Sequence, residues 1–203
     1  NASATVTGSS TSWVTSMEGS FMMIRGAFYE ISTVNSTTSI TLTTAFTGDN
    51  LTGGTYLIAD PISNVNISNI TIQNSTATTG AMYFEYSLGV TFNFFNVITS
   101  YLGFTFKNSD GGGIKNWGIF SCEYGVVIDN SANTSIDTVA LYTITTGDAL
   151  SITSVNAFSL FNFGMFSVAG RGVILTSSYN FGIVNFAIIS NAGLAIEVVS
   201  SYD

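Results

Sequence analysis

Three side chains that could do chemistry recur at a fixed interval: Glu85, Lys107 and Asp129 stand 22 residues apart. Two carboxylates brought near each other could flank a glycosidic bond, since sugar hydrolysis uses a pair of carboxyl groups. Lys107 argues against that chemistry, because a cation between the acids would hold both ionised whereas an acid catalyst needs a raised pKa. The chain has no His, and its twelve acidic residues are scattered. Asp110-Gly111-Gly112-Gly113 offers a single carboxylate to calcium, which takes six to eight oxygens. No phosphate loop, zinc spacing or nucleophile–base set is present. The reading assigns no catalytic residue, no metal site and no cofactor. Glu85, Lys107 and Asp129 remain as a possible glycan contact, with charge pairing between neighbouring layers as the plainer account.

The elements that position them are short and repeated. Gly125-Val126-Val127-Ile128-Asp129 has counterparts beginning at Ala81, Gly103, Ala149, Gly172 and Gly193, with starts 22, 22, 24, 23 and 21 residues apart. Each alternates apolar and variable residues, the period of a strand with one buried face. A second apolar column runs in phase through Ile67, Phe92, Ile114, Ile136, Leu160 and Ile183. Three residues on comes Ile70, Phe95, Trp117, Val139, Phe163 and Phe186, and two beyond that Ile72, Val97, Ile119, Leu141, Met165 and Ile188. Between the first two of these columns stand Asn69, Phe94, Asn116, Thr138, Asn162 and Asn185. Asn tolerates tight bends, and four of six suggest an asparagine ladder. A fixed period of this length means stacked repeats. An all-strand unit makes it an all-β, parallel β-helix of about six coils, right-handed by the general preference of parallel crossovers. Phe84, Phe106, Ile128, Ile152, Leu175 and Ile196 are expected to stack inside.

Outward positions decide what such a rod touches. One column of the third strand is small, with Gly118, Ala140, Gly164 and Ala187; its neighbour is large and apolar, with Ile98, Phe120, Tyr142, Phe166 and Ile189. An apolar ridge beside a small-residue groove should not face water on a lone chain. These nine residues are the expected oligomer interface, with cover by a loop or by the N-terminal unit as the alternative.

The bulk properties narrow the partners. The chain has 203 residues, 8% charged, with a net charge of −8 and four basic residues, Arg25, Lys107, Lys115 and Arg171. Phosphate backbones need clustered cations, so no nucleic-acid partner is expected. No apolar run is long enough to span a bilayer, so no membrane insertion is expected. The single Cys122 suits an apolar filler. Asn-X-Ser/Thr sequons begin at Asn1, Asn35, Asn50, Asn66, Asn69, Asn74 and Asn133.

Residues 1–60 do not follow the repeat. Alternating segments at 4–7, 21–25, 28–34, 39–43 and 55–59 read as a small antiparallel β barrel or sandwich capping the solenoid of residues 61–203, with Pro61 at the boundary. The run Gly8-Ser9-Ser10-Thr11-Ser12-Trp13, then Gly19 with Met23-Ile24-Arg25-Gly26, then Tyr29 to Leu42, Ala45-Phe46-Thr47-Gly48 and Gly54-Thr55-Tyr56-Leu57-Ile58 resembles a module of tailed-bacteriophage tail fibre and tail spike proteins. In those proteins the module precedes a β-helix. The resemblance implies a structural and adhesive part of the virion surface (tail) or another extracellular setting, a homotrimer, and contact with a host-surface glycan or protein. Two other readings stand beside it: a subunit of a cellular extracellular filament or adhesin, and a polysaccharide depolymerase of the kind that pectate-lyase-like solenoids also house. The last strand, at Leu194 to Val198, would leave a bare edge, so either further chain or another subunit is expected to cover it.

Overall fold

Segments with strand alternation become strands almost throughout. The computed structural model describes residues 3–46, 54–74, 76 and 80–201. Five strands build the N-terminal unit: β1 (Ser3–Thr7), β2 (Phe21–Ile24), β3 (Ala27–Ser36), β4 (Ser39–Phe46) and β5 (Leu57–Ala59). They pair antiparallel in the order β1-β4-β3-β2-β5. The long β3 changes partner midway, with residues 27–30 against β2 and 31–36 against β4. That switch wraps the sheet around its own core of Trp13, Met22, Ile24, Ile31, Ile40 and Leu42.

The remaining strands are β6 (Ile62–Ser63), β7 (Asn66–Gln73), β8 (Met82–Glu85), β9 (Ser87–Leu88), β10 (Thr91–Ile98), β11 (Leu102–Lys107) and β12 (Gly113–Phe120). They continue as β13 (Tyr124–Asp129), β14 (Ala132–Ile144), β15 (Leu150–Thr153), β16 (Asn156–Val168), β17 (Val173–Thr176), β18 (Tyr179–Asn191) and β19 (Ile196–Val199). β7, β10, β12, β14, β16 and β18 form one six-stranded parallel sheet, and β8, β11, β13, β15, β17 and β19 a second. A narrow third strip pairs β6 with β9 and runs on through Leu88, Asp110 and Ala132. The protein is a parallel β-solenoid of about six coils, as its repeat required, and Phe92 pairs with Ile114, Ile114 with Ile136, and Ile136 with Leu160.

The core fills the tube. Phe92, Phe95, Phe104, Phe106, Ile114, Ile119 and Ile128 are buried, with Phe95 stacked on Trp117 at 4.9 Å between ring centres. Inside one corner runs a buried serine column. Ser87 Oγ donates to Ser109 Oγ at 2.9 Å, and the backbone N–H groups of Ser87, Ser109 and Val155 donate to the hydroxyls of Ser109, Ser131 and Ser178. A buried N–H without a partner is costly, and these hydroxyls remove that cost at a corner where the ladder turns.

Corners are made by left-handed residues. The expected bend column has positive φ throughout, from 49° at Asn162 to 59° at Asn185, and includes Phe94 and Thr138. Further such columns run through Tyr86, Asn108, Asn130, Ser154, Ser177 and Ser200, and through Thr99, Ser121, Thr143 and Ser167. None of these is glycine, so stacking of one coil on the next imposes a conformation that, glycine apart, Asn adopts most readily.

One assignment is corrected in the last coil. Leu175 pairs with Val198 and Thr176 with Val199, while Ile196 lies beside Val173 and Glu197 beside Ile174. The counterpart of Leu175 is therefore Val198 rather than Ile196, although Ile196 still packs partly buried against the core and Val198, at the end of the stack, is exposed. The reason is that Gly193 occupies a corner: its N–H donates to Gly170, whose N–H donates to Gly147. The true counterpart of Gly172 is Ala195.

The N-terminal unit meets the solenoid on its flank, at the second and third coils. The Phe28 N–H donates to Asp110 Oδ2 at 2.9 Å. At the β2–β3 turn, Gly26 (φ +80) faces Ser131, where a Cβ would lie 2.9 Å from the carbonyl oxygen. β7 is an edge strand of its sheet.

Candidate functional site

The charged column forms where the repeat places it. Glu85 pairs in register with Lys107, and Lys107 with Asp129. Lys107 Nζ lies 3.4 Å from Asp129 Oδ2, both partly exposed, a pair that contributes about 0–1 kcal/mol. Glu85 accepts the Tyr83 hydroxyl at 2.7 Å and the Asn108 amide at 2.8 Å. The phenol's hydrogen bond holds the Glu85 carboxyl below its usual range and pushes Tyr83 up to about 12. These groups are brought together, with Lys107 paired to Asp129 and Glu85 bonded to Tyr83 and Asn108. Lys115 and Asp137 are likewise in register. Asp137 is held low first by the Asn162 amide at 2.9 Å, then by Thr138, with the charge of Lys115 adding.

One polar centre escaped the sequence reading, and a second, Asp110, has a role it did not foresee. Arg171 grips Asp148 through Nε at 3.0 Å and Nη2 at 2.7 Å, and reaches Glu197 Oε2 with Nη1 at 2.7 Å. Burial pushes the Asp148 carboxyl up, but the hydrogen bonds and charge of Arg171 outweigh it and the net shift is downward. Asp110, from the glycine corner, is 7% exposed and accepts Phe28 N–H and the Asn133 amide, the latter at 2.7 Å. It joins the two units. Register spacing alone signals the Arg171 cluster, since Asp148 and Arg171 lie 23 residues apart. Among the described residues no three of His, Cys, Asp and Glu gather at metal-holding distance.

A long concavity lies on the outer face of the β7–β18 sheet. It is a groove of about 1080 Å³ running across successive coils. Its floor is the small column of Gly118, Ala140, Gly164 and Ala187, and one wall is the bend column of Asn116, Thr138, Asn162 and Asn185. The other wall is aromatic. Phe120 stacks on Tyr142 at 5.1 Å and 4°, and Tyr142 on Phe166 at 4.8 Å and 7°. In-register parallel strands impose that spacing, since neighbouring strands lie about 4.8 Å apart. The rings lean over the floor: a Cβ on Gly118 would meet Phe120 Cε2 at 2.5 Å, and one on Gly164 would meet Phe166 Cε2 at 3.2 Å. The small column thus serves the protein's own rings first. Tyr142 stays 38% exposed and Ile189 51%, while Ile98, Phe120 and Phe166 are half-buried.

The expected asparagine ladder exists in part. Asn185 donates to Asn162 at 3.1 Å and Asn162 to Asp137, while Asn116 donates to Asn93. A continuous ladder lies on another corner, where Asn130 donates to Asn108 at 2.7 Å and Asn108 to Glu85. Among the described residues no charged side chain lines the groove.

These features define an all-β parallel β-solenoid with a long uncharged groove on one sheet face. No family model, curated protein or solved structure matches the chain. No helix among the described residues is long and apolar enough to cross a membrane.

Proposed function

We propose that this protein is a structural and adhesive solenoid of the tail-fibre or tail-spike type, working at a virion surface or elsewhere outside the cell, and that its groove receives a neutral glycan chain of the host surface. The observation that carries this reading is the groove itself, in which stacked rings face amide side chains across an uncharged floor. Sugars present C–H faces that pack on aromatic rings and hydroxyls that bond amides, so both walls have a task. The resemblance of residues 8–58 to the fibre module supports the setting. A binding role also fits the carboxyl groups: Glu85, Asp137 and Asp148 are all held below their ordinary values, the reverse of what a glycan-cleaving acid requires.

The test is retention on neutral polysaccharide matrices by the wild type and Tyr142→Ala. Loss of one aromatic platform should weaken retention roughly tenfold. Equal retention by the two proteins, or none by either, overturns the reading.

A second reading is favoured by the exposure of Tyr142 and Ile189. On it, the ridge is buried against another copy of the chain, in keeping with the homotrimer that the resemblance implies.

A further inference from the structure

A second cleft, of about 410 Å³, separates the N-terminal unit from the solenoid flank. Arg25 and Tyr56 line it from one side, and Tyr86, Asn108 and Asn130 from the other. Arg25 has φ +50 and precedes Gly26 at φ +80. Two successive positive angles make the kind of hairpin turn that normally takes Asn or Gly, so a long cationic residue in the first position is locally unfavourable. The turn is nonetheless fixed from both sides, by Gly26 against the Ser131 carbonyl and by Phe28 N–H on Asp110. Arg25 is therefore held at the cleft beside the amides of Asn108 and Asn130.

Its charge is free. Lys107 pairs with Asp129, Arg171 with Asp148 and Glu197, and Lys115 lies in register with Asp137. Among the described residues Arg25 has no ion-pair partner, in a chain with twelve acids and a net charge of −8. The guanidinium is a planar fork that matches a carboxylate with two parallel bonds. Amide and phenol groups around it suit the hydroxyls of a polyol. A dianionic phosphate fits less well, because Glu85 stands directly behind the Asn108 amide and, among the described residues, Arg25 is the only cation lining the cleft.

We propose that this cleft binds a single carboxylate-bearing sugar residue, a uronate, with Arg25 on the carboxylate and the Asn108, Asn130, Tyr56 and Tyr86 side chains about the ring. The choice of a sugar rests on the adhesive reading above, but the site is distinct from the neutral groove and its readout is separate.

The experiment titrates glucuronate, methyl glucoside and glucose 6-phosphate into the full isotope-labelled chain and follows backbone amides. Glucuronate should move the signals of Arg25, Gly26, Asn108 and Asn130 and leave those beside Tyr142 in place; methyl glucoside should move none of them. Arg25→Met should weaken glucuronate binding roughly 10- to 100-fold, the range for a hydrogen-bonded charge. Arg25→Lys, which keeps the charge without the fork, should also weaken it. Unmoved signals elsewhere in either variant show that the fold is kept. Absence of glucuronate shifts, equal affinity in Arg25→Met, or tighter binding of the phosphate overturns the proposal. Shifts beside Tyr142 with neutral glycans alone would leave the groove standing and refute the cleft.

Discussion

The ring of Phe120 lies across Gly118, so close that a Cβ there would fall 2.5 Å from its Cε2. The atom displaced is the far end of a side chain, so Gly118→Ala should cost less than about 1 kcal/mol while tilting Phe120 off Tyr142. Gly125 is the opposite case, because a Cβ would run into the Ala149 backbone carbonyl. Gly125→Ala should cost about 1–3 kcal/mol or more, the overpacking range. Thermal unfolding of both variants checks the ranking, and near-ultraviolet circular dichroism checks the ring movement.

Asp110→Ala should loosen the N-terminal unit from the solenoid. It leaves Phe28 N–H and the Asn133 amide without their acceptor, a loss of about 1–3 kcal/mol. Hydrogen exchange should quicken at Phe28 and its neighbours in β3 while the amides of β12 and β14 stay protected. Unchanged protection at Phe28 would show that the carboxylate does not hold the units together.

Acid should open the C-terminal coils before the middle ones. The folded-state pKa of Asp148 lies below its ordinary 3.8, so the stability it contributes is present above that value and is lost as pH falls through the lower folded value. Amide exchange in β17 and β19 should accelerate as pH drops below about 4, and Arg171→Met should remove most of that dependence. A pH profile identical in the variant would sever the link.

The Tyr83 phenol should titrate at about 12 and return toward 10 in Glu85→Gln. Phenolate absorbance against pH in the two proteins measures this. An unshifted profile in the variant would mean that the hydrogen bond to Glu85 is not what raises the phenol.

Self-association through the ridge predicts that Phe120→Asp combined with Phe166→Asp yields a smaller particle with its coils intact. Light scattering gives the mass, and far-ultraviolet circular dichroism reports the strands. An unchanged mass rules this face out as the contact between copies.

The core was readable from sequence because parallel, in-register stacking puts equivalent positions of every coil in one environment. Phe84, Phe106, Ile128, Ile152 and Leu175 follow one another as the period requires. The last coil misled because Gly193 imitates the small residue that opens each strand while sitting at the Gly147–Gly170 corner. Its alternation, with Ile196 and Val198 both apolar, fits either register. The flank contact has no periodic signature at all. Phe28 meets Asp110 across 82 residues of chain, and nothing in the spacing of either announces the other. The Arg25 cleft was hidden for the same reason.

The side-chain amide ladders all point one way. Asn130 donates to Asn108 and Asn108 to Glu85; Asn185 donates to Asn162 and Asn162 to Asp137; Asn133 donates to Asp110. These three chains of donors run toward the earlier coil and terminate on a carboxylate, a group that accepts and cannot pass a proton on, while the single steps from Asn116 to Asn93 and from Asn180 to Asn156 run the same way and end on an amide. The solenoid therefore has a grammar in which an asparagine may be followed by another asparagine but a carboxylate is a full stop. A duplicated coil could be spliced between Asn108 and Asn130 without breaking a sentence, whereas one spliced ahead of Glu85 would open a new one.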